Sequence, residues 1–121
     1  MLQQLGHISA AVCKQLKLDI APNTPIYVGE QNITHIKEKH PHDYEYYWHE
    51  VKNIISSPDY IGYSNKNNSI EYIKKVNLDP DTSILLAVRV SNSGKFFLRT
   101  FYNISEGSIN SRLNKGTIIP V

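Results

Sequence analysis

The order of hydrophobic patterns in this chain predicts an α+β fold, with N-terminal helices packed on a four-stranded antiparallel β-meander. Up to residue 57, apolar residues recur at helical spacing, whereas residues 59–121 break into short β-branched and aromatic runs separated by turn formers. Size and composition agree: 121 residues, 40% hydrophobic and 20% charged, suit one domain over 1–121 whose core needs no staple.

In the segment 1–20, Leu2, Leu5, Ile8, Val12 and Leu16 sit at near-helical spacing, with Gln3, Gln4, Lys14 and Gln15 available for the wet side. An amphipathic helix over 2–16 is expected, closed off by Pro22 and Pro25. The helical half, 26–57, opens on a short extended stretch at 26–28. Ile33, Ile36 and His40 then share one side and Lys37, Glu38 and Lys39 the other. Pro41 disfavours the α conformation just before it, so this helix should end near His40. Asp43 is the expected N-cap of the next helix, which carries Tyr46 or Tyr47, Val51, Ile54 and Ile55 toward the core and stops before Pro58.

The runs 60–64, 69–76, 84–90 and 95–102 are the expected strands. Between them lie "NKNN", "LDPDT" and "SNSG", short and rich in turn formers, as in a meander. One helical turn is expected after Ser105, Glu106 and Gly107, and a last edge strand within 116–121.

No run of 18 or more apolar residues occurs and the start lacks a secretory signature, so the expectation is a soluble, cytoplasmic protein with no membrane association. The net charge of +2 permits an anionic partner without demanding one. The single cysteine, Cys13, allows no internal disulfide, and its place beside Ala10, Ala11 and Val12 suggests packing rather than nucleophilic chemistry.

Four of the five histidines lie in "ITHIKEKHPHDYEYYWHE", residues 33–50. As metal ligands they are badly spaced: His35 and His40 are five apart, Pro41 separates them from His42, and no Cys, Asp or Glu completes a set with His42 and His49. Neither metal nor cofactor is expected. His42 and His49 read as solvated helix residues. His35 and His40 flank the proline-terminated helix end, where a ring either projects into a cleft beside the sheet or is a satisfied, partly buried histidine.

Arg89 and Lys74 each interrupt a mostly apolar or aromatic strand, which points to function; for Arg99 and Lys95 a solvent-facing strand position explains as much. Thr100 and Tyr102 alternate on one strand face and offer two hydroxyls to one phosphate, although both residue types are also ordinary in strands. Tyr44, Tyr46, Tyr47, Tyr60, Tyr63 and Tyr72 are candidates for stacking unpaired bases or for simple aromatic packing. Gly-rich phosphate loops, nucleophile elbows and paired-carboxylate motifs are absent from the sequence.

Taken in order, "HIKEKHP", "IISSPDYIGY", "SIEYIKKV", "ILLAVRV" and "GKFFLRTFYNI" resemble the phage and mobile-element branch of the barnase/EndoU/colicin/RelE superfamily of ribonucleases, over about residues 27–119. The resemblance implies helices followed by a four-stranded antiparallel sheet, with the active site in the cleft between them. It also implies a metal-independent, toxin-like endoribonuclease, bacterial or encoded by a phage or mobile element, cytoplasmic or exported as part of a toxin system. Its partners would be RNA, with tRNA a candidate, and a cognate immunity protein or antitoxin.

By position, the resemblance makes His35 and His40 the helical histidines, Lys74 and Arg89 the basic strand residues, and Thr100 with Tyr102 the hydroxyl pair. Arg99, Tyr72 and Lys39 would bind substrate. Metal-free cleavage of RNA to a 2′,3′-cyclic phosphate needs a base for the ribose 2′-hydroxyl, an acid for the leaving 5′-oxygen and cations for the charge developing on phosphorus. On this reading His40 is the base and His35 the acid or a substrate binder. The rival is a non-catalytic RNA- or protein-binding module of the same fold. A metal-dependent hydrolase ranks last, because Glu30, Glu38, Asp43, Glu45 and Glu71 assemble no carboxylate cluster. The catalytic reading requires His35 or His40 within reach of Arg89, Lys74 and Thr100 across one open cleft.

Overall fold

A computed structural model describes residues 2–121. The chain runs β1 (Gln3–Ile8), α1 (Ala10–Gln15), β2 (Thr24–Val28), α2 (Glu30–Lys39), α3 (Pro41–Tyr47), a 3-10 turn (Trp48–Glu50) and α4 (Val51–Ser56). It continues with β3 (Tyr60–Ser64), β4 (Ser69–Leu78), β5 (Asp81–Val90), β6 (Phe96–Ile104), α5 (Glu106–Lys115) and β7 (Ile118–Pro120).

The fold is α+β, but its sheet is larger than a four-stranded meander. Seven strands lie in the order β1-β2-β6-β5-β4-β3-β7. The expected meander, β3 to β6, forms the middle of this sheet with antiparallel pairing throughout. The antiparallel pair β1–β2 extends it through a short parallel pairing of Ile26 and Tyr27 with Phe96 and Phe97, and β7 pairs antiparallel with β3.

The helix expected over 2–16 is a strand followed by a short helix. The buried residues of β1 are Leu5 and Ile8, three apart, because the register slips between Gln4 and Gly6. A β-bulge inserts one residue and so mimics helical spacing over a short window. Gly6 also lets α4 approach: a Cβ there would lie 3.1 Å from Ile55 Cγ2. Ser9 starts α1, its hydroxyl accepting the Val12 N–H at 3.1 Å.

Asp43 is not an N-cap. Pro41 opens α3 and His40 occupies the cap position, so Asp43 falls in the first turn, where its carboxylate accepts the backbone N–H of Asn103 at 3.0 Å. That bond covers the outer edge of β6, which β2 pairs only at Phe96 and Phe97. The single turn expected near residue 107 is the ten-residue α5, capped by the Ser105 hydroxyl and ended by Gly116 at φ 75°.

Alternation along β5 divides the core. Ile84, Leu86 and Val88 pack beneath the N-terminal helices with Ile36, Ile54, Ile70, Tyr72, Leu98 and Phe101. Leu85 and Ala87 point the other way, toward Ile73, Ile104, Ile109 and Ile118 under α5. Helices therefore lie on both faces, which explains why "ILLAV" shows no alternation of polarity. The apolar cluster under α5 takes in Ile73, Leu85 and Ile104, while the adjoining rows that contain Glu71 and Arg89 line an open cleft.

Candidate active site

The cleft on the α5 face has a volume of about 380 Å³. Strand pairing determines its layout. Glu71, Ala87 and Thr100 form one row across β4, β5 and β6, because Glu71 is opposite Ala87 and Ala87 opposite Thr100. Adjacent strands are about 4.8 Å apart. Glu71 and Thr100 thus flank a floor made of a methyl group, the smallest side chain that L-chirality provides. The neighbouring row brings Ser69 against Arg89, and Leu85 stands beside Tyr102 at the other end.

A second bulge, in β6, aims two consecutive residues at this space. Ala87 pairs with Thr100 and Val88 with Leu98, leaving Arg99 as the extra residue. Arg99 and Thr100 both line the cleft as a result. From α5, Arg112 completes the wall, its Nη1 donating to Glu71 Oε1 at 2.6 Å. Three guanidinium groups, Arg89, Arg99 and Arg112, thus line the same cleft as one carboxylate, leaving an excess of positive charge suited to a phosphodiester.

His40 reaches the rim from the opposite side of β6. Tyr44 stacks on Trp48 with centroids 5.1 Å apart, and Trp48 meets Phe101 edge-on at 5.3 Å, which anchors α3 on β6. The α2–α3 junction wraps the strand edge at this point. His40 N–H donates to Ile36 O at 2.7 Å while its own carbonyl accepts the Tyr44 N–H at 3.0 Å. The ring then stacks on Tyr102, centroids 5.4 Å apart and planes 28° from parallel.

Of the residues singled out in the sequence, Arg89, Arg99, Thr100 and Tyr102 line one cleft and His40 touches its edge through Tyr102. The condition set by the sequence is therefore met only in part, because Lys74 and His35 lie elsewhere. Lys74 is on the helix-facing side of β4, three residues from Glu71 and so of opposite parity; its Nζ donates to Ser57 O at 2.7 Å and lies 3.8 Å from Asp59 Oδ1. Tyr72 has the same parity and is 0% exposed, so it cannot meet a substrate. Its hydroxyl is buried without a hydrogen-bond partner among the described residues, and burial, with a smaller contribution from Cys13, pushes the phenol far above its ordinary pKa.

His35 and Lys39 are exposed on α2 and neither lines the cleft. Residues five apart on a helix differ by about 140° around its axis, so His35 and His40 cannot both turn toward one site from the same helix. No group of three His, Cys, Asp or Glu side chains placed to hold a metal occurs among the described residues.

Glu71 and Arg112 are cleft residues that the sequence reading passed over. Glutamate is uncommon inside strands, and its place in "SIEYIKKV" was a usable signal for Glu71. For Arg112 no comparable signal existed, because the polar α5 has few apolar residues to define a face.

The sequence model of a family described as phage-Barnase-EndoU-ColicinE5/D-RelE like nuclease3 matches residues 3–111. No curated protein and no solved structure matches the chain.

Proposed function

The chain belongs to the phage-Barnase-EndoU-ColicinE5/D-RelE like nuclease family, and from that premise we propose that it is an endoribonuclease. It cleaves RNA without a metal, by attack of a ribose 2′-hydroxyl on the adjacent phosphorus, and leaves a 2′,3′-cyclic phosphate. The observation that supports this reading best is the cleft itself, where the guanidinium groups of Arg89, Arg99 and Arg112 meet the hydroxyls of Thr100 and Tyr102, with His40 against Tyr102.

The scissile phosphate sits over Ala87, in the gap between Glu71 and Thr100. Arg89 and Arg99 hold its non-bridging oxygens and oppose the charge that grows on them in the transition state. Thr100 and Tyr102 donate hydroxyl hydrogen bonds to the same oxygens. Glu71 is the only carboxylate lining the cleft among the described residues, and with Oε1 engaged by Arg112 it has Oε2 to accept the 2′-hydroxyl proton. His40, at the rim, delivers a proton to the departing 5′-oxygen. This differs from the sequence-based assignment of His40 as base and His35 as acid or substrate binder; it is supported by Glu71 lining the cleft, His40 touching Tyr102 and His35 lying outside. A cytoplasmic toxin held by a cognate immunity protein or antitoxin is the biological role consistent with such an activity.

Incubation of the purified protein with total RNA and with tRNA in EDTA tests the reading, beside folded His40→Ala and Arg89→Ala variants. Cleavage that leaves cyclic phosphate ends and is lost in both variants is the expected result. Binding of RNA without cleavage of any sample would replace the enzyme by a non-catalytic RNA-binding module.

A further inference from the structure

A larger groove, about 580 Å³, opens beside the cleft, between α5 and the β3–β4 turn. It shares Asn67, Glu71 and Arg112 with the cleft, so the two adjoin at the Glu71–Arg112 bond. Its volume falls in the range of about 300–1,000 Å³ typical of small-ligand sites.

The groove's walls are built for an anionic, hydrogen-bonding guest. On α5, Ser108, Ser111, Arg112 and Lys115 recur at the three- and four-residue spacing of a single helix face, and all four line the groove. The apolar residues of the same helix, Ile109 and Leu113, belong to the cluster beneath it. Lys66 lies across the groove, on the β3–β4 turn. Neither Lys66 nor Lys115 makes an ion pair among the described residues, so both ammonium groups are available to a phosphate. Tyr63 offers an aromatic ring at the same wall, and Asn65 and Asn67 offer amides of the kind that read base edges.

We propose that this groove is a subsite for the nucleotide one beyond the two that flank the cleaved bond, with Lys66 and Lys115 on its phosphate and Tyr63 beside its base. The assignment rests on the nuclease reading only for the identity of the cleft; the groove's preference for a longer single-stranded RNA is measurable without cleavage.

Binding is measured with oligonucleotides that carry a 2′-deoxy sugar at the cleavage position: a dinucleotide, and trinucleotides extended by one residue at the 5′ or the 3′ side. The wild type and a Lys66→Ala/Lys115→Ala variant are compared. One of the two extensions is expected to tighten binding by about tenfold, the scale of two charge contacts at an exposed site. In the variant that gain falls to within about twofold, with dinucleotide affinity unchanged. Equal binding of all three oligonucleotides, or equal weakening of all three in the variant, overturns the subsite. All-ribose versions of the same oligonucleotides separate the two claims. Length-dependent binding without cleavage sinks the nuclease reading and leaves the groove as an RNA site, whereas cleavage with no effect of length sinks the groove alone.

Discussion

Arg112 Nη1 stands 2.6 Å from Glu71 Oε1, a bond that ties α5 to β4 across 41 residues of sequence. Glu71's side chain is 12% exposed and Arg112's 28%, between a surface pair and a buried one. An exposed pair is worth little and a buried pair is costly to break, so truncating one partner here should cost about 1–3 kcal/mol. Arg112→Ala should therefore lower stability by that amount in urea unfolding. A value within error of wild type would mean that the bond does not hold α5 in place.

Ala87 forms the floor of the cleft between Glu71 and Thr100. Valine suits a strand, so Ala87→Val should keep the fold, as read by circular dichroism, while two added methyl groups occupy the space proposed for the phosphate. RNA cleavage should fall by about 100-fold, the size of effect that a displacement near 1 Å produces. Undiminished cleavage by a folded variant would place the phosphate elsewhere.

His40 and Lys74 provide an opposed pair of variants. His40→Ala removes the proposed general acid and should lower the rate by about 10²- to 10⁴-fold. Lys74 faces Ser57 and Asp59, away from the cleft. Lys74→Ala and the exposed-residue variant His35→Ala should both cleave within about twofold of wild type, since surface substitutions remote from a site change little. A large loss in either would restore the sequence-based assignment.

Tyr72 carries a buried hydroxyl without a partner among the described residues. Removing a polar group that has no partner is neutral to stabilising, so Tyr72→Phe should unfold at the same urea concentration as wild type or a slightly higher one at pH 7. The sign of the alkaline effect follows from burial, which raises the folded phenol's pKa. Below the ordinary value of about 10 both folded and unfolded states hold the proton and this contribution to stability is constant. Above it the unfolded chain releases the proton first, so wild-type stability falls as pH rises toward the folded value. Tyr72→Phe lacks that loss and should tolerate alkali better; an unchanged alkaline profile would show that the phenol reaches solvent.

How much of this was legible in the sequence depended on how local each signal was. Turn formers between β-branched runs marked β3 to β6, and Pro41 marked the break after His40, because both effects act within a few residues of their cause. The strand within 116–121 was readable for the same reason. β1 was misread because its bulge shifts the buried residues to helical spacing, and the extent of α5 was hidden because its exposed, polar composition imitates a loop.

By itself, then, the sequence determined the order of elements from residue 26 onward, the change from helices to strands after residue 57, and the residue types available for phosphate chemistry. Which of those residues meet was decided by tertiary structure alone. Period two along β4 puts Glu71 and Lys74 on opposite faces, but both faces of the sheet are partly covered, so alternation alone does not say which face is open. His40 and Tyr102 are 62 residues apart and touch only because α3 wraps the edge of β6, a contact that depends on packing between distant segments rather than on any local preference.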